Sequence, residues 1–362
     1  MGNFSFEQAR EPGQNPTLQV QRLEAELAVV WMAVACDGDE ILTPQPIPDP
    51  FWRRMEKCFG IRVHPMAPHQ LSQSRARTLV PWGWTPAVRT QARKLGIEIT
   101  APEQDLIWSI NAREFAFQLC EERGLLLPGE GMARTFEEAQ QLLQGLIRTK
   151  TGWVIKPNQS QSGRGQMRGT SVLTDRQMQT VRRLIERQGC VHIEPLLNGQ
   201  KELSGQWDIP PSGSPQFLGL TELRTDSRGR YAGTGIKTLG LSVSLESALL
   251  RDQSAAVARL QSLGYFGPVG IDAMLFKSEN QECIRSIQDL NARWTMGRIG
   301  WEWGMRLSAR LDKRNKGNEI SAGFWNHSPV PLTADSIPLS PEEIQGKPVR
   351  QRTWWTPLFN GS

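Results

Sequence analysis

The chain has 362 residues, a length for two or three sub-domains rather than one core. Hydrophobic residues make up 38% and charged residues 22%, a globular composition that excludes a chain disordered throughout. The net charge of +5 suits an anionic ligand without calling for nucleic acid, and the longest apolar run, LAVVWMAVA, has about half the length a bilayer span needs.

No signal-peptide pattern opens the sequence, and MGNFSF carries Phe6 where a myristoylation site has Ser or Thr. Cys36, Cys58, Cys120, Cys190 and Cys283 lack a paired spacing, and His64, His69, His192 and His327 lack a metal-ligand spacing. Reduced thiols and a cytoplasmic location are the expectation, with no membrane and no nucleic acid as partner.

Residues 1–16 read as a flexible arm. Residues 17–110 read as an α/β unit: LEAELAVVWMAVA, a turn at CDGDEIL, the proline-rich PQPIPDPFW, a helix from about Pro86 to Leu95 stopped by Gly96, and a strand IEIT. Next come a helix closed by Gly124 and a second, TFEEAQQLLQGLI, whose Thr135 and Glu138 make a capping box. The strand GWVIKP, the small-residue loop NQSQSGRGQMRG, a helix stopped by Gly189 and the strand CVHIEPLL follow. PQFLGLTELRTDSRGRYAGTG reads as a hairpin turning at Asp226–Gly229. SAAVARLQSLG reads as a helix, VGIDAMLF and CIRSIQDLNAR as strands, and GWEWGMRLSARLDKR as a helix with Trp301, Met305 and Leu307 inward. Trp82 and Trp84 in PWGW read as lining a domain interface, with a substrate-stacking wall as the alternative. Residues 311–362 read as a polar, proline-rich tail in which Trp354 and Trp355 dock onto the body or onto a second copy, leaving a homodimer open.

Three segments carry chemistry. With the turn of the last strand pair centred on Asn280–Gln281, Asp272 lies opposite Asp289, and Asn291 shares that face. Facing carboxylates repel unless a cation sits between them, and hard oxygen donors suit Mg²⁺. Taken alone, the same pattern also describes a solvated strand face. In WVIKPNQSQSGRGQMRG a strand ends at Lys156 and runs into a loop of small residues whose backbone amides can approach a phosphate; it is not a Walker loop. In VHIEPLLNGQKEL a strand reaches Glu194, and its continuation can meet an adenine edge, with Glu202 left for ribose hydroxyls.

The order of these parts, from lysine strand and small-residue loop through the Glu194 strand and hairpin to the D-x-N strand, resembles the ATP-grasp superfamily over roughly Asn111 to Arg298. The segments PWGWTPAVRTQARKLG and NAREFAFQLCEERGLLLPG resemble the pre-ATP-grasp region of peptide-ligase-like members. The resemblance implies two α+β lobes clamping ATP, about 111–195 and 196–310, preceded by an α/β pre-ATP-grasp domain at 17–110. It implies an ATP- and Mg²⁺-dependent carboxylate–amine ligase acting through an acyl phosphate on an amino acid or peptide, with an amine as acceptor.

By the same resemblance Lys156 contacts the α/β-phosphates, and Arg113 stands where the family usually has another phosphate-contacting lysine. Ser160, Ser162, Gly163, Arg164 and Gly165 fold over the phosphates. Glu194 through Leu196 hold adenine and Glu202 the ribose. Asp272, Asp289 and Asn291 bind Mg²⁺. Arg293 faces the transferred phosphoryl group or the acyl phosphate, and Arg293 and Lys156 are the catalytic residues. The family usually has Glu where this chain has Asp289. Some amino-acid ligases have Arg where it has Gly270, so that charge falls to Arg164, Arg224 or Lys237. An ATP-grasp kinase of a small hydroxyl substrate and a catalytically degenerate nucleotide binder are the alternatives.

Overall fold

The structure, a computed structural model, describes residues 18–160, 165–225, 231–237, 239–314 and 320–359. Two compact units emerge. The first comprises Met1–Ala101, Leu218–Gly240 and Arg293–Ser362, and the second Pro102–Phe217 and Leu241–Ala292. This division differs from the expected succession of domains, because the chain enters and leaves the second unit twice. Among the described residues no helix is long and apolar enough to cross a membrane.

In the first unit, LAVVWMAVA becomes a buried 3₁₀ turn, Ala28–Ala33. The helix Pro86–Lys94 forms as expected, with Thr85 accepting from the Val88 amide at 3.2 Å. Residues 97–100, expected as a strand, form none, although Ile97 is buried. The strands Gln216–Thr225 and Tyr231–Ile236 pair antiparallel as the expected hairpin, and its turn residues 226–230 lie outside the described residues.

The expected tail is largely sheet. Ile320–Ser328 and Arg352–Phe359 pair antiparallel, with Trp325 opposite Trp355. Both tryptophans are fully buried in a core with Met32, Met55 and Trp303. Large aromatic area outweighs the polar composition of the surrounding segment. On the helix Met296–Arg314 the buried stripe is Ile299, Trp303 and Leu307. Met305, expected inward, is exposed, since two residues along a helix turn a side chain about 200° away.

The second unit carries one sheet and part of another. The first runs in the order Gly131–Ala133, Val191–Pro195, Trp153–Pro157, Met167–Gly169. Strand alternation sorts its side chains: Trp153, Ile155, Val191 and Ile193 join Ala139, Leu143 and Val181 of two helices in one core, while Lys156, His192 and Glu194 point the other way. Those helices, Phe136–Arg148 and Asp175–Gln188, begin at capping boxes. Thr135 Oγ1 accepts from the Glu138 amide at 3.1 Å, and Glu138 accepts in return at 3.3 Å.

The second is a larger sheet, to which the unit contributes three neighbouring strands in the order Gln281–Asn291, Gly267–Ser278, Gly199–Ile209, paired antiparallel, with the helix Val243–Ser262 packed on them. Its hairpin turns one residue earlier than expected, on Glu279 (φ 47°) and Asn280 (φ 68°), so Ser278 faces Gln281. That register alone would set Asp272 against Ile287. A bulge intervenes: Met274 faces Arg285, yet Asp272 faces Asp289, so two steps on one strand match four on the other. The expected pairing of Asp272 with Asp289 therefore forms, through a turn and a bulge whose shifts cancel.

Gln253 braces the bulge. Fully buried, its Nε2 donates to the Ser286 carbonyl at 2.9 Å and the Ile271 carbonyl at 3.2 Å, and its Oε1 accepts from Trp207 Nε1 at 3.0 Å. Gly205 leaves room for it, as a Cβ there would stand 2.0 Å from Gln253 Oε1. Gln253→Met strands both carbonyls and should cost about 2–3 kcal/mol, read as a lower urea midpoint at unchanged slope. An unchanged midpoint would show that the bulge does not lean on Gln253.

Candidate functional site

The second unit gathers several ionisable groups from its strands. Lys156 and Glu194, each 5% exposed, meet at 2.7 Å between Nζ and Oε1. Glu194 Oε2 accepts from Arg285 Nη1 at 2.8 Å, and Arg285 Nη2 donates to Glu130 Oε1 at 2.5 Å. His192 Nε2 lies 2.9 Å from that same Glu130 oxygen. Removing such ions from water costs several kcal/mol each, which only close, matched pairing offsets. Two cations here balance two carboxylates.

The electrostatics follow. Burial alone would raise the Glu194 carboxyl, but the Lys156 and Arg285 charges outweigh it and hold Glu194 far below the usual carboxylate range. Burial would likewise raise Glu130; the His192 hydrogen bond and the Arg285 charge win and lower it. Burial opposes the Arg285 charge, yet Glu194 and Glu130 raise its pKa above the ordinary value. Burial pushes the nearby Cys120 thiol up to about 12, which removes it as a nucleophile.

A second set lies at the bulged strand. Asn291 Nδ2 donates to Asp272 Oδ2 at 3.0 Å. Arg113, the first residue of the helix Arg113–Glu122, reaches Asp289 Oδ2 at 2.8 Å. Its other terminal nitrogen donates to the Pro157 carbonyl at 2.5 Å and Ser160 Oγ at 2.9 Å. The helix start is pinned by Asn158, whose carbonyl accepts from Arg113 N at 2.9 Å and whose Oδ1 accepts from Glu114 N at 3.0 Å. A cavity of about 10 Å³, room for a single water, is lined by Arg113, Glu130, His192, Arg285 and Gln288.

The structure thus brings together Lys156, Glu194, Arg113, Ser160, Asp272, Asp289 and Asn291 in one unit. Ser162, Gly163 and Arg164 lie outside the described residues. Gly165 follows them with φ 78°. Leu196 is exposed, its amide bonded to the Gly152 carbonyl at 2.7 Å. Glu202 stands opposite Met274, on the strand beside Asp272. Arg293 belongs to the first unit, where its Nη1 donates to the Trp294 carbonyl at 3.1 Å. Arg224 and Lys237 belong to that unit too, with Arg224 3.5 Å over the Phe324 ring.

Sequence reasoning missed Arg285, His192 and Glu130. Period-two spacing could have found two of them: Arg285 shares parity with Asp289 and Asn291, and His192 with Glu194. Glu130 precedes a three-residue strand and carries no such signal.

Two sets of groups bear on cation binding, one by distance and one by donor chemistry and strand register. Glu130, His192 and Glu194 offer donor atoms within 4.8 Å of one another, but Lys156 and Arg285 already balance the two carboxylates there. Asp272, Asp289 and Asn291 offer hard oxygens on facing strands, the donor chemistry Mg²⁺ takes.

No protein-family model and no curated protein sequence matches the chain. Solved structures do match it. The N5-carboxyaminoimidazole ribonucleotide synthetase of Thermus thermophilus is 13% identical with a TM-score of 0.53, over 94% of this chain and 91% of that one. The corresponding Staphylococcus aureus synthetase is 12% identical with a TM-score of 0.54, over 93% and 91%. The biotin carboxylase of Campylobacter jejuni, in a β,γ-ATP complex, is 10% identical with a TM-score of 0.55, over 93% and 85%.

The chain has the ATP-grasp fold. Arg113 and Asp289, where the resemblance expects Lys and Glu, are hydrogen-bonded to each other.

Because Glu130 and Glu194 are held below their ordinary values, each contributes stability that is full above the unfolded carboxylate range and is lost progressively below it, down through the lowered folded-state value. Stability should stay level from neutral pH to about 5 and fall below about 4.5. Glu194→Gln should cost about 3–5 kcal/mol at pH 7 and flatten the acid limb of a pH series of urea melts. An acid limb as steep as that of the wild type would assign the acid loss to other carboxylates.

Proposed function

We propose that the protein is an ATP- and Mg²⁺-dependent ligase that joins a carboxylate to an amine, with an amino acid or peptide as its substrate. One observation carries the reading: Asp272 and Asp289 face each other across adjacent strands with Asn291 beside them, and Arg113 and Lys156 stand in the same unit. Hard anionic donors beside fixed cations suit a metal–polyphosphate complex. The ATP-grasp fold supports this choice, since the 2-oxoglutarate carboxylase biotin carboxylase domain of Hydrogenobacter thermophilus was crystallised with MgADP and bicarbonate.

Bound Mg·ATP would supply the phosphoryl group that activates the carboxylate and a divalent charge to shield it. The chain's own residues do the rest. Asp272, Asp289 and Asn291 hold the cation; Lys156 and Arg113 hold the phosphates and offset the repulsion between two anions brought together. Arg293 steadies charge on the transferred group. Ser160, which Arg113 already reaches, is offered to the phosphates, where excluding water spares the activated carboxylate. Glu194 and the segment to Leu196 take the base, and Glu202 the ribose. Five unpaired cysteines fit work in a reducing compartment, the cytoplasm.

Asp289→Ala and Asn291→Ala should each lower Mg²⁺-dependent ADP release by at least about 100-fold with the fold intact by circular dichroism. The assay supplies pooled amino acids and small peptides as donors and acceptors, and mass spectrometry reads the product. Turnover at the wild-type rate in both variants would remove these residues from the metal site. A phosphorylated alcohol as product would make the enzyme a kinase.

A further inference from the structure

We propose that the Arg113–Asp289 ion pair is a lock that makes cation binding and polyphosphate binding depend on each other. The inference rests on the nucleotide reading above and specifies how that site loads. Arg113 is 11% exposed at its side chain and is held by two neutral oxygens, Pro157 O and Ser160 Oγ, and by one charge, Asp289. Asp289 faces Asp272, whose Oδ2 accepts from Asn291.

Consider each ligand alone. A divalent cation that takes Asp272 and Asp289 strips Arg113 of the one carboxylate paired with it among the described residues and sits beside a nearly buried guanidinium. A polyphosphate that takes Arg113 without metal lies beside two carboxylates with nothing between. Each half-loaded state keeps one like-charge contact in a poorly solvated place. When both arrive, the cation replaces the guanidinium at Asp289 and the phosphate replaces the carboxylate at Arg113. Every charge then has a partner of opposite sign.

Lys156 and Glu194 make the same exchange. The ammonium turns to a phosphate, and Glu194 keeps a cation because Arg285 stays 2.8 Å away, anchored on Glu130. This gives Arg285 its work: it is the counter-ion that lets Lys156 leave. The coupling between metal and nucleotide is reciprocal, as linkage requires.

The test uses the full-length chain and two probes: Mn²⁺ alone, followed by the EPR signal of unbound ion, and ATP in EDTA, followed by calorimetry. Arg113→Gln should bind Mn²⁺ at least about ten-fold tighter than wild type, and Asp289→Asn should bind metal-free ATP at least about ten-fold tighter. Arg113→Lys keeps the charge and should stay near wild type for Mn²⁺, which separates lost charge from lost packing. Thermal unfolding reports the fold, and if Arg113→Gln does not fold the Asp289→Asn arm decides. Unchanged or weaker binding in the folded variants overturns the lock. Wild-type protein that binds no Mg·ATP overturns the nucleotide reading and the lock with it; wild type that binds Mg·ATP beside unchanged variants overturns the lock alone.

Discussion

The ion pair between Arg113 and Asp289 joins the first turn of a helix to the far end of a strand 176 residues away in sequence. Much of the second unit is arranged around that contact. The bulge braced by Gln253 brings Asp289 opposite Asp272, and Asn158 fixes the helix start from which Arg113 reaches out. Lys156 with Glu194 repeats the theme a short way off, deeper in the protein. The groups proposed for a nucleotide and its metal are held by one another in ion pairs. Arg113 is paired with Asp289, and Lys156 with Glu194, so on the proposed reading ligands exchange partners with the protein.

Local rules wrote much of this fold legibly. Thr135 with Glu138 marked one helix start, and strand alternation put Lys156, His192 and Glu194 on a single face. The Asp272–Asp289 pairing was also legible, though by two shifts that cancel: the turn sits one residue early and the bulge adds two residues to one strand. A bulge depends on a distant partner, here Gln253 on a helix, and no short window of sequence contains that. Arg285 was hidden for a similar reason. A charged residue inside a strand reads as an exposed position until its two carboxylates, from other strands and loops, are known.

The larger differences between sequence and structure concern how separate segments share a core. Residues 311–362 look loose by composition, yet Trp325 and Trp355 face each other in a buried strand pair. Composition averages over a segment, whereas folding responds to the few side chains that bury most area. Similarly, the first unit takes three separate stretches of chain, and a division read along the sequence cannot anticipate a core shared by residues from 29 to 355. Arg293 falls on that boundary, two residues past Asn291, so its place in the proposed chemistry rests on the resemblance and not on contacts within the second unit.

A crystal structure of the full chain with Mg²⁺ and a non-hydrolysable ATP analogue tests the central claim most directly. The account predicts the cation on Asp272 and Asp289, the triphosphate on Arg113 and Lys156, and both present ion pairs parted while Arg285 remains on Glu194. Analogue bound elsewhere, or density at this site with Arg113–Asp289 and Lys156–Glu194 still closed, would contradict it.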